Sequence, residues 1–334
     1  MRPKKLTPDA HHNIHFFNED CITGARKHIA DNSVDLIITD PPYGINGNNL
    51  HLHYNRNESL VVDGYVEVPQ SKYEQFSFDW IKEAERILKP GGAIYIISGY
   101  TNLYFILHAL RQTKLKEVNH IIWKFSFGVF TRKKFVSSHY HILYYEKPGG
   151  SRTFNVESRF GLKEESDKGR SKNYCDREDV WGIPRQYKPR KIKNKNELPD
   201  DLLKKILQYS SNEGDLVCDF FLGGFSTARV AIGLNRNIVG FEISPSIFKQ
   251  KIGEIEMIMP GELLSSLNVP TINNPKNQGK SWSREECVKL IERYDELKSE
   301  GKLKKDIMKT LQEEFKRGYW SIDKALKKGK NEIL

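Results

Sequence analysis

The chain has 334 residues, 38% of them hydrophobic, and a formal net charge of +10. This allows one large domain with an ordinary globular core plus a small second one, and the positive excess favours a polyanionic partner. The four cysteines (Cys21, Cys175, Cys218, Cys287) are scattered with no CxxC pair, which argues against a zinc site or a disulfide framework and fits a reducing, cytoplasmic compartment.

The opening residues, MRPKKLTPDAHHN, lack the apolar centre of a signal peptide, and no apolar run approaches membrane-spanning length. Ile14 to Asn18 (IHFFN) reads as a strand and ITGARKHIA as a helix. Val34 to Thr39 (VDLIIT) is β-branched and apolar, as a fully buried parallel strand tends to be. It runs into Asp40-Pro41-Pro42-Tyr43, where two prolines remove two backbone donors and stiffen the chain. An acid at the carboxyl end of such a strand stands where open α/β sheets bind ligands. An ordinary strand-ending turn is the plainer alternative.

The polar stretch INGNNLHLHYNRNESLVVDGY follows and is expected to close over a substrate. His51 and His53 within it have no third ligand nearby, so no metal site is expected. FDWIKEAERIL has helical periodicity and is stopped by Lys89-Pro90-Gly91-Gly92. AIYIIS, VNHIIWKF and HYHILYYEK read as strands, with NLYFILHALRQ as a helix after the first of them. Such a βα series predicts a mostly parallel sheet with a late antiparallel strand.

From Lys147 to Asn196 periodicity fades, and fourteen basic residues face seven acidic ones with aromatics interleaved. A basic surface that follows a phosphate backbone is the preferred reading, against a solvated loop. LPDDLLKKILQYSS reads as a helix and GDLVCDF as a strand. FLGGFSTARVAIGLN is a glycine turn entering a helix, expected to line an anion-friendly pocket with free backbone amides. NIVGFEIS is a strand ending in Glu242, an acid placed for ribose hydroxyls. Ser244 and Pro245 look like the cap and first position of another helix. Residues 259 to 280 read as a linker, and 281 to 334 as three short helices around Trp282, Leu290, Ile291, Tyr294, Leu297, Ile307, Leu311, Phe315, Trp320, Ile322 and Leu326.

Together these motifs resemble the S-adenosylmethionine-dependent DNA amino-methyltransferases. Asp40-Pro41-Pro42-Tyr43 matches the family's (D/N/S)PP(Y/F) motif, and DFFLGGFST, residues 219 to 227, matches its DPFxGSGTT motif. Asp20 and Glu242 match its strand-end acids, and the likeness spans Ile14 to Ile258. Phe220 and Phe225 depart from it, replacing a proline and a glycine, and Leu198 stands where a lysine is frequent. The catalytic motif precedes the cofactor turn, as in the family's permuted β group.

The resemblance implies an α/β fold: a Rossmann-like, mostly parallel seven-stranded sheet, circularly permuted, with the Glu242 strand beside Ile14 to Asn18 and a small all-α C-terminal domain. It divides the chain into a tail (1–13), a catalytic half (14–146), a recognition region (147–196), a cofactor half (197–258), a linker and the helical domain. It implies catalysis by Asp40, Pro41, Pro42 and Tyr43, and S-adenosylmethionine held by Asp20, Cys21, Asp40, Phe221, Leu222, Gly223, Gly224, Ser226, Thr227, Glu242 and Ser244. Double-stranded DNA is the implied partner, met by Lys133, Lys134, Arg170, Lys172, Arg185, Lys188, Arg190, Lys316 and Arg317. A separate restriction endonuclease and a second copy of the chain are further candidate partners.

No cysteine follows a proline, so the thiol chemistry of cytosine C5 methylation is excluded and amine methylation survives. Asp at the first motif position goes with adenine N6 in that family, and cytosine N4 is the alternative. An RNA or protein amine methyltransferase and an inactive DNA-binding protein are the other readings. The C-terminal helices resemble Myb/SANT-like or helix-turn-helix modules, against a helical appendage for dimerisation or stability.

Overall fold

The computed structural model describes residues 13–42, 68–126, 132–185, 197–268, 270 and 281–332, without the side chains of residues 305, 320 and 328–332. Tyr43, the histidine-bearing stretch after it, Lys188 and Arg190 lie outside the described residues. Two compact units divide the chain between residues 270 and 271.

The first unit is built on a sheet of eight strands: β1 (Ile14–Phe17), β2 (Val34–Thr39), β3 (Leu88–Ser98), β4 (Lys116–Lys124), β5 (His139–Glu146), β6 (Val180–Gly182), β7 (Leu216–Asp219) and β8 (Asn237–Phe241). Their order is β1-β8-β7-β2-β3-β5-β4-β6. Seven strands run the same way and β5 alone opposes them, as the βα series predicts. β1 lies beside β8 in parallel, Ile14 opposite Ile238 and Phe17 opposite Phe241. The expectation of seven strands is corrected to eight, because Val180 to Gly182 adds an edge strand too short to leave a sequence pattern.

Helices α1 (Cys21–His28), α2 (Tyr73–Ile87) and α3 (Leu103–Arg111) cover one face. Their layer packs Ala25, Trp80, Ile81 and Ile106 on Val34, Ile37, Ile94 and Leu143. The other face carries α5 (Asp200–Ser210), α6 (Ser226–Gly233) and α7 (Pro245–Ile255), which pack Leu202, Ile206, Ala228 and Ile255 on Leu36, Ile38, Tyr95 and Tyr144. Burial on both faces is why β2 reads as a largely apolar run, broken by the partly exposed Asp35 near its start.

α2 ends at Ile87, but β3 begins at Leu88, not after the Lys-Pro-Gly-Gly segment. Gly91 takes a positive φ of 82°, and the Gly91 and Lys147 amides donate to the Lys147 and Gly92 carbonyls, so the segment joins the ladder instead of leaving it.

Residues 147 to 185 are ordered. A short helix, α4 (Lys172–Asp176), precedes β6. The Arg159 Nε donates to Asp176 at 2.9 Å, and the Tyr209 hydroxyl donates to the same oxygen at 2.7 Å, tying the segment to α5. The first part of the expected linker is also packed: the Leu263 amide donates to the Gly233 carbonyl, and Leu263, Leu264 and Leu267 lie on the core.

The second unit consists of α8 (Arg284–Ser299), α9 (Lys304–Phe315) and α10 (Tyr319–Glu332) around Leu290, Leu297, Ile307, Met308, Leu311, Ile322 and Leu326. Ser283 and Glu286 form a capping box that starts α8. Arg317 is 2% exposed, with its guanidinium over the Trp282 ring and bonded to Glu286. This candidate DNA contact thus lies in the interior of the unit. No described helix is long and apolar enough to cross a membrane.

The close approach of the β7–α6 turn to β8 depends on Gly240. A Cβ there would lie 2.7 Å from Leu222 Cδ2 and 2.9 Å from the Asp219 carbonyl oxygen. Gly240→Ala is expected to cost about 1–3 kcal/mol in urea denaturation, and an unchanged midpoint would show that the turn has slack.

Candidate active site

Across the sheet the chain reverses its direction of travel between β7 and β2: β2 leads to β3 on one side and β7 to β8 on the other. Ligand crevices open at the carboxyl edge of such switch points. Four adjacent parallel strands end there in acids: Asp20 after β1, Glu242 after β8, Asp219 closing β7 and Asp40 after β2.

Asp40 is half-buried, and Pro41 and Pro42 are buried. The Tyr73 hydroxyl, on the first residue of α2, donates to the Pro42 carbonyl at 2.7 Å and fixes the course of the chain after β2. Thr39, the last residue of β2, donates to Asp219 Oδ1 at 3.2 Å, a buried bond across the switch point. The same oxygen accepts from the Phe221 amide at 3.0 Å, and Thr227 donates to the carboxylate from α6. Burial pushes the Asp219 carboxyl up to about 6 against these three donors.

Glu242 is 8% exposed. Its Oε2 accepts from the Gly223 amide at 2.9 Å and its Oε1 from the Ser244 amide at 2.7 Å. Burial raises its carboxyl while those two bonds lower it. The expectation of free amides in the turn is thereby corrected. Phe221 donates to Asp219, Leu222 to the Phe241 carbonyl, Gly223 to Glu242 and Phe225 to the Leu222 carbonyl. Two buried acids flank the turn and take donors that an isolated glycine loop would leave open.

Phe225 sits at φ 59°, a left-handed conformation suited to glycine, and is fully buried. Its ring meets Phe16 at 5.3 Å and Phe248 at 5.9 Å, so it points into the core and not across the turn. Gly223, at φ 48°, has only the Phe221 carbonyl oxygen, at 3.9 Å, near its Cβ position, which leaves that side open. Ser226 and Thr227 are buried in the first turn of α6, while Phe221 and Gly224 are partly exposed. Asp20 caps α1, its Oδ1 accepting from the Ile22 and Thr23 amides. Cys21 is buried, and burial pushes its thiol up. Ser244 caps α7, with Pro245 at its start.

Of the basic residues, Lys133, Lys134, Arg170 and Lys316 are exposed. Lys172 is paired with Glu164 at 3.2 Å. Arg185 is half-buried beside Phe125 and Tyr140. Among the described residues no group of three or more His, Cys, Asp or Glu is placed to hold a metal. Thr39, Tyr73 and Asp219 were not among the sequence candidates. Asp219 lies inside the quoted glycine-turn motif, but Tyr73 carries no local signal, because its partner is 31 residues away.

A family model described as DNA methylase matches residues 34–252. The DNA adenine methyltransferase YhdJ of Escherichia coli K12 is 32% identical over 247 residues, 69% of this chain and 79% of that one. The Type II methyltransferase M.BamHI of Bacillus amyloliquefaciens is 32% identical over 71% of this chain, which spans just 56% of that relative. The crystal structure of the M1.HpyAVI-SAM complex shares the fold at a TM-score of 0.50 and 19% identity, over 72% of this chain and 99% of that one.

Because Asp219 binds its proton more tightly when folded, its contribution to stability is present below pH 4 and is lost as pH rises through about 6. Asp219→Asn is therefore expected to gain on the wild type by up to about 3 kcal/mol between pH 4 and pH 7, read by urea denaturation. A pH-independent difference would contradict the buried carboxylate's titration.

Proposed function

The chain belongs to the DNA methylase family, and on that premise we propose that it transfers a methyl group from S-adenosylmethionine to the N6 amine of adenine in duplex DNA. The observation that carries this reading is the row of strand-end acids, with Asp40-Pro41-Pro42 after β2, the glycine turn after the neighbouring β7, and Glu242, which braces that turn, after β8. The 32% identity to an adenine methyltransferase over most of both chains supports adenine. The pairing of β1 with β8 supports a circularly permuted arrangement, in which the catalytic motif comes first and the cofactor turn last.

The residues present fit the cofactor. Phe225 is folded away from the turn, Gly223 leaves one side open, and Glu242 is held by two backbone amides with its carboxylate at the strand end, where ribose hydroxyls bind. S-adenosylmethionine supplies an electrophilic methyl group when bound. Asp20, Phe221, Leu222 and Glu242 would hold it.

The chain's part in the chemistry is to prepare the amine. An exocyclic base amine is a poor nucleophile because its lone pair is delocalised into the ring. The Asp40 carboxylate and the Pro41 carbonyl accept from its two N–H groups, which favours a pyramidal nitrogen and localises that lone pair. Proline fixes the direction of the carbonyl, and the Tyr73 bond to Pro42 holds the turn. Tyr43 stacks on the base, a contribution of about 1–3 kcal/mol. The base leaves the duplex to reach these groups, as bases do in other enzymes that modify them. Positioning and electrostatics carry the rate. Lys133, Lys134 and Arg170 are exposed for phosphate contact. The helical unit is a second candidate DNA contact through Lys316.

The two acids have separable roles. Asp40→Ala is expected to abolish transfer in a single-turnover assay while calorimetry shows S-adenosylmethionine affinity largely kept. Glu242→Ala is expected to weaken that affinity first. Retained transfer in Asp40→Ala would remove the residue from the mechanism.

A further inference from the structure

β6 is parallel to β4, and β4 is aligned with β3 and β2 through the opposed β5. The carboxyl ends of β4 and β6 therefore share the edge of the sheet that bears Asp40. Arg185 lies three residues beyond Gly182, at the end of β6. Its guanidinium carbon is 4.5 Å from the Phe125 ring centroid and 4.8 Å from that of Tyr140. Phe125 follows β4 directly, Tyr140 is the second residue of β5, and the two rings lie 5.3 Å apart.

This clamp is braced from below. Trp123, 2% exposed, contacts both rings, and its indole Nε1 donates to the Ile183 carbonyl at 2.8 Å. The Ile183 amide donates back to the Lys124 carbonyl, and Phe125 donates to the Ser138 carbonyl. The backbone on either side of the clamp is thus tied to the sheet.

Arg152, Arg159 and Arg293 are each paired with a carboxylate. Among the described residues, no hydrogen bond or ion pair engages Arg185. It is a planar cation resting against two adjoining rings, its N–H donors without a partner among the described residues. A long side chain ordinarily gives up rotamer freedom on binding; here the rings have already removed it. A fixed fork of that kind matches the O6 and N7 acceptors of guanine in the major groove. Phosphate contact needs no such orientation, and exposed lysines on the adjoining β4–β5 connection already offer it.

We propose that Arg185 is a specificity-determining residue that reads a guanine at one position of the methylated site. This rests on the DNA methylase reading above. The test is to methylate a random-sequence duplex library with the full-length protein and with Arg185→Lys and Arg185→Gln, and to map modified positions and their flanking bases by sequencing. The wild type is expected to prefer guanine at one flanking position. Both variants, with melting curves matching the wild type, are expected to lose that preference roughly 5- to 150-fold, with the other positions unchanged. A uniform fall at all sequences, with flanking preferences intact and a shallower salt dependence, would assign Arg185 to a phosphate and overturn the proposal. A wild-type protein that leaves the library unmodified while binding S-adenosylmethionine overturns the methylase reading as well.

Discussion

One buried carboxylate joins the two halves of the site. Asp219 closes β7 at the point where the sheet reverses direction, and it takes a hydrogen bond from Thr39 of β2, one from the Phe221 amide and one from Thr227 of α6. Burying a carboxylate is costly unless its lone pairs are satisfied, so these donors are held in place by the cost of losing them. Thr39 immediately precedes Asp40, and Phe221 opens the glycine turn. The Asp40 turn and the glycine turn, 180 residues apart in sequence, are thereby referenced to a single oxygen.

Other features of the edge follow from the same economy of donors. Glu242 takes the Gly223 and Ser244 amides, which locks the turn to the end of β8 and starts α7. Phe225 accepts a left-handed backbone, a strain of roughly 1–2 kcal/mol for a residue with a side chain, and offsets it by filling the core between Phe16 and Phe248. On the same face, toward the β6 edge of the sheet, Asp176 gathers Arg159, Tyr209 and Lys205. Burial against Trp181 brings the Lys205 ammonium down to about 8, opposed by Asp176. That knot fixes the segment leading into β6, the strand that precedes Arg185.

Much of this was legible in the residues. The apolar β2 run and Asp40-Pro41-Pro42 marked a buried strand ending at a ligand edge, and the motif order anticipated β1 beside β8. The C-terminal helical faces named Leu290, Leu297, Ile307 and Leu311, which form the core of that unit. The residues that escaped are those whose roles depend on distant partners. Tyr73 has meaning only against Pro42, and β6 only against β4. Arg317 looked like part of a basic surface because Glu286, its partner, is 31 residues upstream. The free amides expected of the glycine turn failed for a similar reason: nothing in Gly223-Gly224 shows that Glu242 and Asp219 fold over it.

The most direct test of the account is mass spectrometry of nucleosides released from duplex DNA after incubation with the protein and S-adenosylmethionine. N6-methyladenine is the expected product. N4-methylcytosine would keep the amine-holding role of Asp40 but contradict the adenine assignment. DNA without any methylated base, from protein that still binds S-adenosylmethionine, would contradict the account as a whole.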